Sequence, residues 1–499
     1  MTAQAARGKP AAAKEVGAMR DQLRRDAVRG VGWAFFSSAS VRILQVITTL
    51  VLAKLLMPAD FGVFALATLI VNGAAIFRDA GLAQSLIYQR GDIRGSANAA
   101  FLLGAAFSIV LAGILFISAP PLGWAFNTSE IVEPIRVMSA ALIISGAANV
   151  PLALLDKHLK FKRRAVPEVA GAIAYATVSI ALAAEGFGVW SLVVGWLAMS
   201  VVSTVAAWMV CPWRPALEFD RQQARVIVGY GKHLMVASLA VFIFFQVDKA
   251  AVGKWLGVTA LGFYSLAFTV CNLPATNLTH VVNRVMFPTY SRLQDDLSEM
   301  RFVYLRTIRY ISLAAFPAAV GILVLSGPVI SLFYGEKWMP AIPLFHILAF
   351  YGFVRSIGGT AGAVFMSTGN PELVRRVSFM QVAMIVPLLY PVARTCGTAG
   401  VAVLFTGAYA VGTVYSLGKV QEILGLNRMS YVGATGLSLA AAALAGASGW
   451  VVSLGFGPPS WNGVAAVFAM FCSVYGASVF LLDRSAYAEL AGILAKSKQ

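Results

Sequence analysis

Leu50-Val51-Leu52-Ala53-Lys54-Leu55-Leu56-Met57-Pro58-Ala59-Asp60-Phe61-Gly62-Val63-Phe64-Ala65-Leu66-Ala67 is matched, without a gap, by Ala250-Ala251-Val252-Gly253-Lys254-Trp255-Leu256-Gly257-Val258-Thr259-Ala260-Leu261-Gly262-Phe263-Tyr264-Ser265-Leu266-Ala267. Lys54 pairs with Lys254, Leu56 with Leu256, Gly62 with Gly262, and Leu66-Ala67 with Leu266-Ala267. The same offset pairs Ser38 with Ser238, Val41 with Val241, Ile43 with Ile243 and Asn72 with Asn272. Apolar helices share a small alphabet, so leucines and alanines coincide by chance. A lysine, a glycine and an asparagine matching at one offset are harder to obtain. An internal repeat inside a hydrophobic chain points to a transporter built from two related lobes.

Composition fixes the solvent. The chain is 59% hydrophobic and 12% charged, with a mean hydropathy of +0.76, where a soluble domain carries about 25% charged residues. About fourteen apolar runs, each near the ~20 residues a helix needs to cross a bilayer, recur between residues 30 and 482. The predicted fold is therefore an all-α polytopic membrane protein with about 14 transmembrane helices. Helix 1 pairs with helix 7 and helix 2 with helix 8, so each lobe holds six helices. Six is even, and the two repeats enter the membrane in the same sense as parallel repeats. The expected organisation is a basic tail at 1–28, an N-lobe at 29–211, a linker at 212–232 and a C-lobe at 233–420. Helices 13 and 14 at 431–482 lie outside the repeat, and a second tail covers 483–499. Within the linker, 219–228 has the pattern of an amphipathic surface segment. Ala440-Ala441-Ala442-Ala443 and Gly446 on helix 13 suit close helix packing.

The net charge of +17 suggests nucleic acid until its placement is read. With the N-terminus inside, only Lys54, Arg136, Lys254, Lys337 and Arg394 fall on outside ends and loops, and Arg42, Lys249 and Arg355 fall within helices. Every other Lys and Arg lies on a predicted inside segment. That bias places both termini in the cytoplasm and makes the basic loops topology anchors, with no nucleic-acid partner. Cys211, Cys271, Cys396 and Cys472 are far apart and show no metal or disulfide spacing. No cofactor is expected. Gly231-Lys232 lacks the earlier glycine of a phosphate loop, so transport would draw on an ion gradient, the membrane potential or the substrate gradient.

An ionised residue at mid-membrane costs about 2.5–3.5 kcal/mol on insertion scales, which makes each one a functional candidate. Helix 1 carries Ser38, Arg42, Gln45 and Thr49 on one face. Arg42 pairs in the repeat with apolar Phe242, so symmetry demands no charge there. Helix 7 carries Ser238, Gln246, Asp248 and Lys249; Asp248 beside Lys249 reads either as a self-neutralising pair in a bundle or as part of a cavity. Asn72 on helix 2, with Asn272, Thr276 and His280 on helix 8, adds repeat-related polar positions. Arg355 on helix 10 neighbours Gly358-Gly359 and Gly362, a segment able to bend around a ligand or to let the side chain snorkel. Arg78 and Asp79 sit at a helix end, where surface and cavity roles are both open. His346 reads as a packing residue, and Pro387 and Pro391 as a kink in helix 11. The candidate substrate cavity is thus lined by Arg42, Gln45, Asn72, Asp248, Lys249, Asn272 and Arg355.

With these residues in view, the chain resembles the polysaccharide transporter branch (Wzx-type oligosaccharide flippases) of the multidrug/oligosaccharidyl-lipid/polysaccharide exporter superfamily. The resemblance runs through Leu50 to Gly62, then Arg78-Asp79-Ala80-Gly81-Leu82-Ala83-Gln84-Ser85-Leu86-Ile87-Tyr88-Gln89-Arg90, then Asp248 to Leu266, and Phe287-Pro288-Thr289-Tyr290-Ser291-Arg292-Leu293-Gln294. It implies a flippase that is not an enzyme. Such a protein moves undecaprenyl-diphosphate-linked oligosaccharide to the outer leaflet of the bacterial inner membrane by alternating access, for exopolysaccharide or lipopolysaccharide biosynthesis. Its implied partners are the lipid-linked oligosaccharide, membrane lipids, a polysaccharide polymerase and export machinery. The residues agree, since a diphosphate needs cations and Arg42, Lys249 and Arg355 supply them. A cation-coupled multidrug exporter would want an acidic cavity. A membrane glycosyltransferase or polymerase would want a larger outer loop than the short ones present.

Overall fold

The computed structural model describes residues 40–79, 82–88, 93–158, 160–216, 218, 220–456 and 459–482. The expected tails and Ser38 lie outside the described residues, as does the side chain of His280. All regular structure among the described residues is helical. The helices are α1 (40–55), α2 (Pro58–Asp79), α3 (Leu82–Tyr88), α4 (Ile93–Ala125), α5 (Val132–Lys157), α6 (Phe161–Ala184), α7 (Val189–Val210) and α8 (Arg221–Leu256). They continue with α9 (Val258–Arg292), α10 (Leu297–Val329), α11 (Ile342–Gly358), α12 (Ala361–Ser367), α13 (Pro371–Leu424), α14 (Arg428–Gly455) and α15 (Trp461–Leu482).

Among the described residues, eleven stretches are long and apolar enough to cross a membrane. One of them, α13, has 54 residues, about 80 Å if straight against a hydrocarbon core of ~30 Å. Its backbone leaves the helical region at Gly397 (φ 62°, ψ −152°), a conformation that residues with a Cβ rarely adopt. α13 is therefore two passes joined there. With α1 and α8 added beside the eleven, these account for the expected fourteen. Pro387 and Pro391 lie inside the first half of α13, upstream of the break.

The chain forms two compact units: 1–55, 67–124 and 129–242 make the first, and 56–66, 125–128 and 243–499 the second. α2 and α8 each contribute to both. The first unit packs α5, α6 and α7 closely. Small residues permit this: Gly195 lies against Ser179 and Gly171 against Ser203 and Met199, the close approach that suits helices in lipid. α8 begins at Arg221, its first turn capped by Asp220, whose Oδ1 accepts from the N–H of Gln222 (2.7 Å) and of Gln223 (3.2 Å). Ala224 and Ile227 then pack with Leu82, Leu86, Ala97, Val150 and Leu154 in a core of this unit. The second half of the expected linker is thus the start of a long helix.

Arg78 also belongs to that unit's interior. Its side chain is 7% exposed and bonds Asp79 Oδ1 at 2.8 Å; Nη1 donates to Leu142 O (3.1 Å) and Ser145 Oγ (2.6 Å). Asn149 Nδ2 donates to the same Asp79 oxygen at 2.7 Å. These bonds tie the end of α2 to α5. Arg78→Ala leaves a buried carbonyl and a hydroxyl short of a donor, a loss of about 1–3 kcal/mol. The melting temperature of the purified protein should fall by several degrees, whereas an unchanged value would remove the network from the stability of this unit.

In the second unit the repeated motif meets its own copy. Pro58 occupies the first position of α2, where its missing N–H costs nothing. Asp60 reaches back so that Oδ2 accepts from Met57 N–H at 2.9 Å, half of a capping box. The equivalent start of α9 uses Gly257 (φ +90°). Gly62 then lies against the carbonyl of Val258, and Gly262 against that of Pro58. A Cβ at either glycine would overlap the facing oxygen, so the first turns of α2 and α9 cross backbone to backbone. Beside the crossing sits Trp338, fully buried, with Phe61 and Phe263 edge-on at 5.4 and 5.8 Å. Lys337 Nζ donates to Leu56 O at 2.8 Å, closing the end of α1.

A further core gathers Tyr290, Met300, Tyr304, Ile308, Val364 and Leu424, with Met300, Tyr304 and Ile308 from α10, a helix that Asp296 caps. Two backbone N–H groups and the Ser298 hydroxyl donate to Asp296 Oδ1, and the Ser298 contact leads in holding this carboxyl below its ordinary range. α14 packs on α10 through Gly446, which faces Val320, with Ala441, Ala442 and Ala445 buried. Tyr475 Oη on α15 donates to Leu313 O at 2.7 Å. Of the small residues expected to pack helix 13, Ala441, Ala442 and Gly446 are buried, whereas Ala440 and Ala443 are exposed.

Candidate functional site

Four helices of the second unit converge on one polar cluster in an aromatic shell. Consecutive residues on a helix point about 100° apart, so Asp248 and Lys249 on α8 take different partners. Asp248 is fully buried and its Oδ2 accepts from Tyr264 Oη on α9 at 2.6 Å. Its other oxygen, Oδ1, is buried with no hydrogen-bond partner. Lys249 Nζ stands 4.6 Å from the centroid of the Phe268 ring. Phe268 lies one turn beyond Tyr264 and stacks on it at 6.2 Å.

From Phe268 the shell passes to α11 and α13. Tyr351 stacks on Phe268 at 5.5 Å and meets Phe405 and Tyr409 at 5.2 and 5.1 Å. Gly352 makes this approach possible, since a Cβ there would press on Cys271 O. Arg355, one turn after Tyr351, donates from Nη1 to Tyr351 Oη at 2.6 Å. Its guanidinium lies 4.9 Å from the ring centroid of Phe245 on α8. Asn272, one turn beyond Phe268, has a buried Oδ1 without a partner.

A ring face stabilises a cation by about 0.5–1 kcal/mol when exposed and by ~2 when desolvated, yet it occupies none of the cation's N–H donors as a carboxylate does. Lys249 and Arg355 are thus held in place with donors in reserve. Asp248 accepts a hydrogen bond from a phenol, with the charge of Lys249 on the next residue. Such a cluster, two cations to one carboxylate, suits an anionic group with hydroxyls around it.

The structure gathers Asp248, Lys249 and Arg355 around one aromatic shell, with Asn272 one turn beyond Phe268 on α9. Arg42 and Gln45 are exposed on α1 and bonded to each other at 3.2 Å, and Asn72 is exposed on α2; these three belong to the first unit. Arg78 and Asp79 form the network described above, and His346, expected in packing, is exposed on α11. Sequence reasoning missed the aromatic shell. The four-residue spacing of Tyr264 to Phe268 and of Tyr351 to Arg355 was the available signal.

Residues 51–343 match the family described as polysaccharide biosynthesis protein. The lipopolysaccharide biosynthesis protein WzxC of Escherichia coli (strain K12) is 23% identical over 413 residues, 82% of this chain and 84% of that protein. The succinoglycan biosynthesis transport protein ExoT of Rhizobium meliloti (strain 1021) is 26% identical over 325 residues, 65% of this chain and 66% of that one. Among solved structures, the lipid II flippase MurJ in an inward closed conformation superposes with a TM-score of 0.74 at 13% identity, covering 91% of this chain and 99% of that chain. At that identity the likeness concerns the fold.

Proposed function

The chain belongs to the polysaccharide biosynthesis protein family, a Wzx-like branch of the multidrug/oligosaccharidyl-lipid/polysaccharide exporter superfamily, and we propose that it carries a lipid-linked oligosaccharide from the cytoplasmic to the outer leaflet. It is a multi-pass membrane transporter of polysaccharide biosynthesis, not an enzyme. The proposed cargo is an oligosaccharide on undecaprenyl diphosphate, moved by alternating access across the bacterial inner membrane, with both termini cytoplasmic.

The observation that carries this reading is the intramembrane pair Lys249 and Arg355, each set on an aromatic face with donors to spare. Arg355 offers a planar fork and Lys249 a point charge, a combination suited to a diphosphate. Asp248 Oδ1 and Asn272 Oδ1 offer acceptors for sugar hydroxyls. Arg42, Gln45 and Asn72 remain proposed contacts from the first unit. An inside-negative potential favours outward movement of an anion by about 2.3 kcal/mol per charge per 100 mV.

Deleting the gene tests the proposal. The lipid-linked oligosaccharide should accumulate on the cytoplasmic leaflet while polymer yield collapses. If it reaches the outer leaflet at the normal rate, in a strain with no substitute transporter, the reading is wrong. A deletion strain that exports normally but becomes drug-sensitive would point to multidrug export instead.

A further inference from the structure

The first unit contains a recess that the transport reading does not use. It measures about 340 Å³ and is lined by Arg94, Leu154, Leu155, His158, Lys160, Cys211, Pro212 and Trp213. Four helix ends meet there: the start of α4, the end of α5, the start of α6 and the chain leaving α7. By the Lys/Arg bias this is the side predicted to be cytoplasmic.

Its wall is held firmly. Trp213 stacks on Trp208 at 6.1 Å and meets Phe101 edge-on at 5.8 Å. Arg214 Nη1 donates to Cys211 O (2.7 Å) and Trp213 O (2.9 Å), and Asn98 Oδ1 accepts from Ala216 N–H at 3.1 Å. Opposite, the backbone N–H groups of His158 and Lys160 bond Leu154 O and Leu155 O. Leu154, Leu155 and Cys211 form a buried apolar floor. The rim carries a guanidinium, an ammonium and an imidazole, all on exposed residues. Among the described residues no carboxylate lines it, and Asp156 and Glu168 nearby are both engaged by Arg164 at 3.4 and 2.8 Å.

Charge bias sets topology wherever the cations lie on the loop, and does not call for them to converge on a cavity with an indole wall and an apolar floor. That combination matches an amphiphile with an anionic head. Basic pockets between helices at the cytoplasmic surface suit lipid phosphates, Arg favours the planar two-oxygen face of a phosphate, and Trp settles at headgroup level. We propose that this recess binds the phosphate of a lipid headgroup, with Arg94 and Lys160 on the phosphate and Trp213 against the glycerol or prenyl stem. The site lies in a different unit from Lys249 and Arg355, so the proposal stands apart from the substrate reading.

The test uses the purified full-length chain in detergent, with binding read by native mass spectrometry and thermal shift. The probes are dioctanoyl phosphatidic acid, farnesyl diphosphate, dioctanoylglycerol and inorganic phosphate. Phosphatidic acid should bind, dioctanoylglycerol should not, and the double variant Arg94→Gln/Lys160→Gln should weaken binding tenfold or more. Preference for phosphatidic acid identifies a phospholipid as the ligand, and preference for farnesyl diphosphate identifies a prenyl carrier. Unchanged affinity in the double variant overturns the proposal. So does wild-type binding of dioctanoylglycerol as tight as that of phosphatidic acid, or of inorganic phosphate as tight as either lipid, results that need no variant to fold. Normal glycan export by the double variant leaves the transport reading intact while binding is lost.

Discussion

Gly262→Leu should abolish accumulation of folded protein. The side chain would begin inside the carbonyl oxygen of Pro58, and that oxygen belongs to the backbone of a helix, which cannot turn aside as a flexible side chain does. Overpacking a core costs about 1–3 kcal/mol when neighbours yield, and more when they do not. Here the whole first turn of α2 must retreat, carrying Phe61 off the buried Trp338 and drawing the Leu56 carbonyl from Lys337. Gly62→Leu, facing Val258 O, should fail in the same way. Gly113→Leu on α4 is the control, because nothing lies within 4 Å of its added Cβ. Membrane levels and the melting temperature of purified protein provide the readout. A Gly262→Leu protein that accumulates and melts like the parent would show that α2 and α9 do not meet at these glycines.

Replacing both intramembrane cations should have the second-largest effect, on transport rather than folding. Each charge-assisted hydrogen bond to a diphosphate contributes about 1.5–3 kcal/mol, so Lys249→Met with Arg355→Gln is expected to lower glycan export by at least tenfold. Protein level should hold, because each change removes a cation from an apolar surround and retains its bulk. Arg355→Lys alone should recover part of the activity, since an ammonium replaces a planar fork. Full export by the double variant at normal protein level would remove this cluster from cargo binding.

Much of the architecture was legible because membranes restrict the alphabet. Apolar runs revealed the helices, and the match of Lys54, Leu56, Gly62 and Leu66-Ala67 to Lys254, Leu256, Gly262 and Leu266-Ala267 marked the place where the chain repeats. The small residues of α14 signalled tight packing, and Gly446 indeed faces Val320. What stayed hidden depended on partners distant in sequence. Arg78 looked like a helix-end charge because Leu142 and Ser145 lie on another helix. Trp338 gave no sign of its role, since Phe61 and Phe263 reach it from far along the chain. Arg94, His158 and Lys160 were absorbed into the charge bias of cytoplasmic loops, a pattern that counts cations without asking whether they converge. Arg42 was weighted for its depth in helix 1, and depth alone does not say whether a side chain is buried: Arg42 is exposed and bonds Gln45.

The crossing of α2 and α9 has the symmetry of a homodimer contact compressed into one polypeptide. The fifth residue of each helix touches the first residue of the other, as an isologous interface requires when position i meets j and j meets i. In a true homodimer one substitution would strike both sides of the axis. A chain that carries the two copies in tandem can vary them separately. The helix starts have diverged that way, with Pro58 and Asp60 in one and Gly257 in the other, but both glycines remain opposite a carbonyl. Divergence between duplicated halves is thus open wherever a side chain faces lipid or solvent, and closed at this crossing, where main chain rests on main chain.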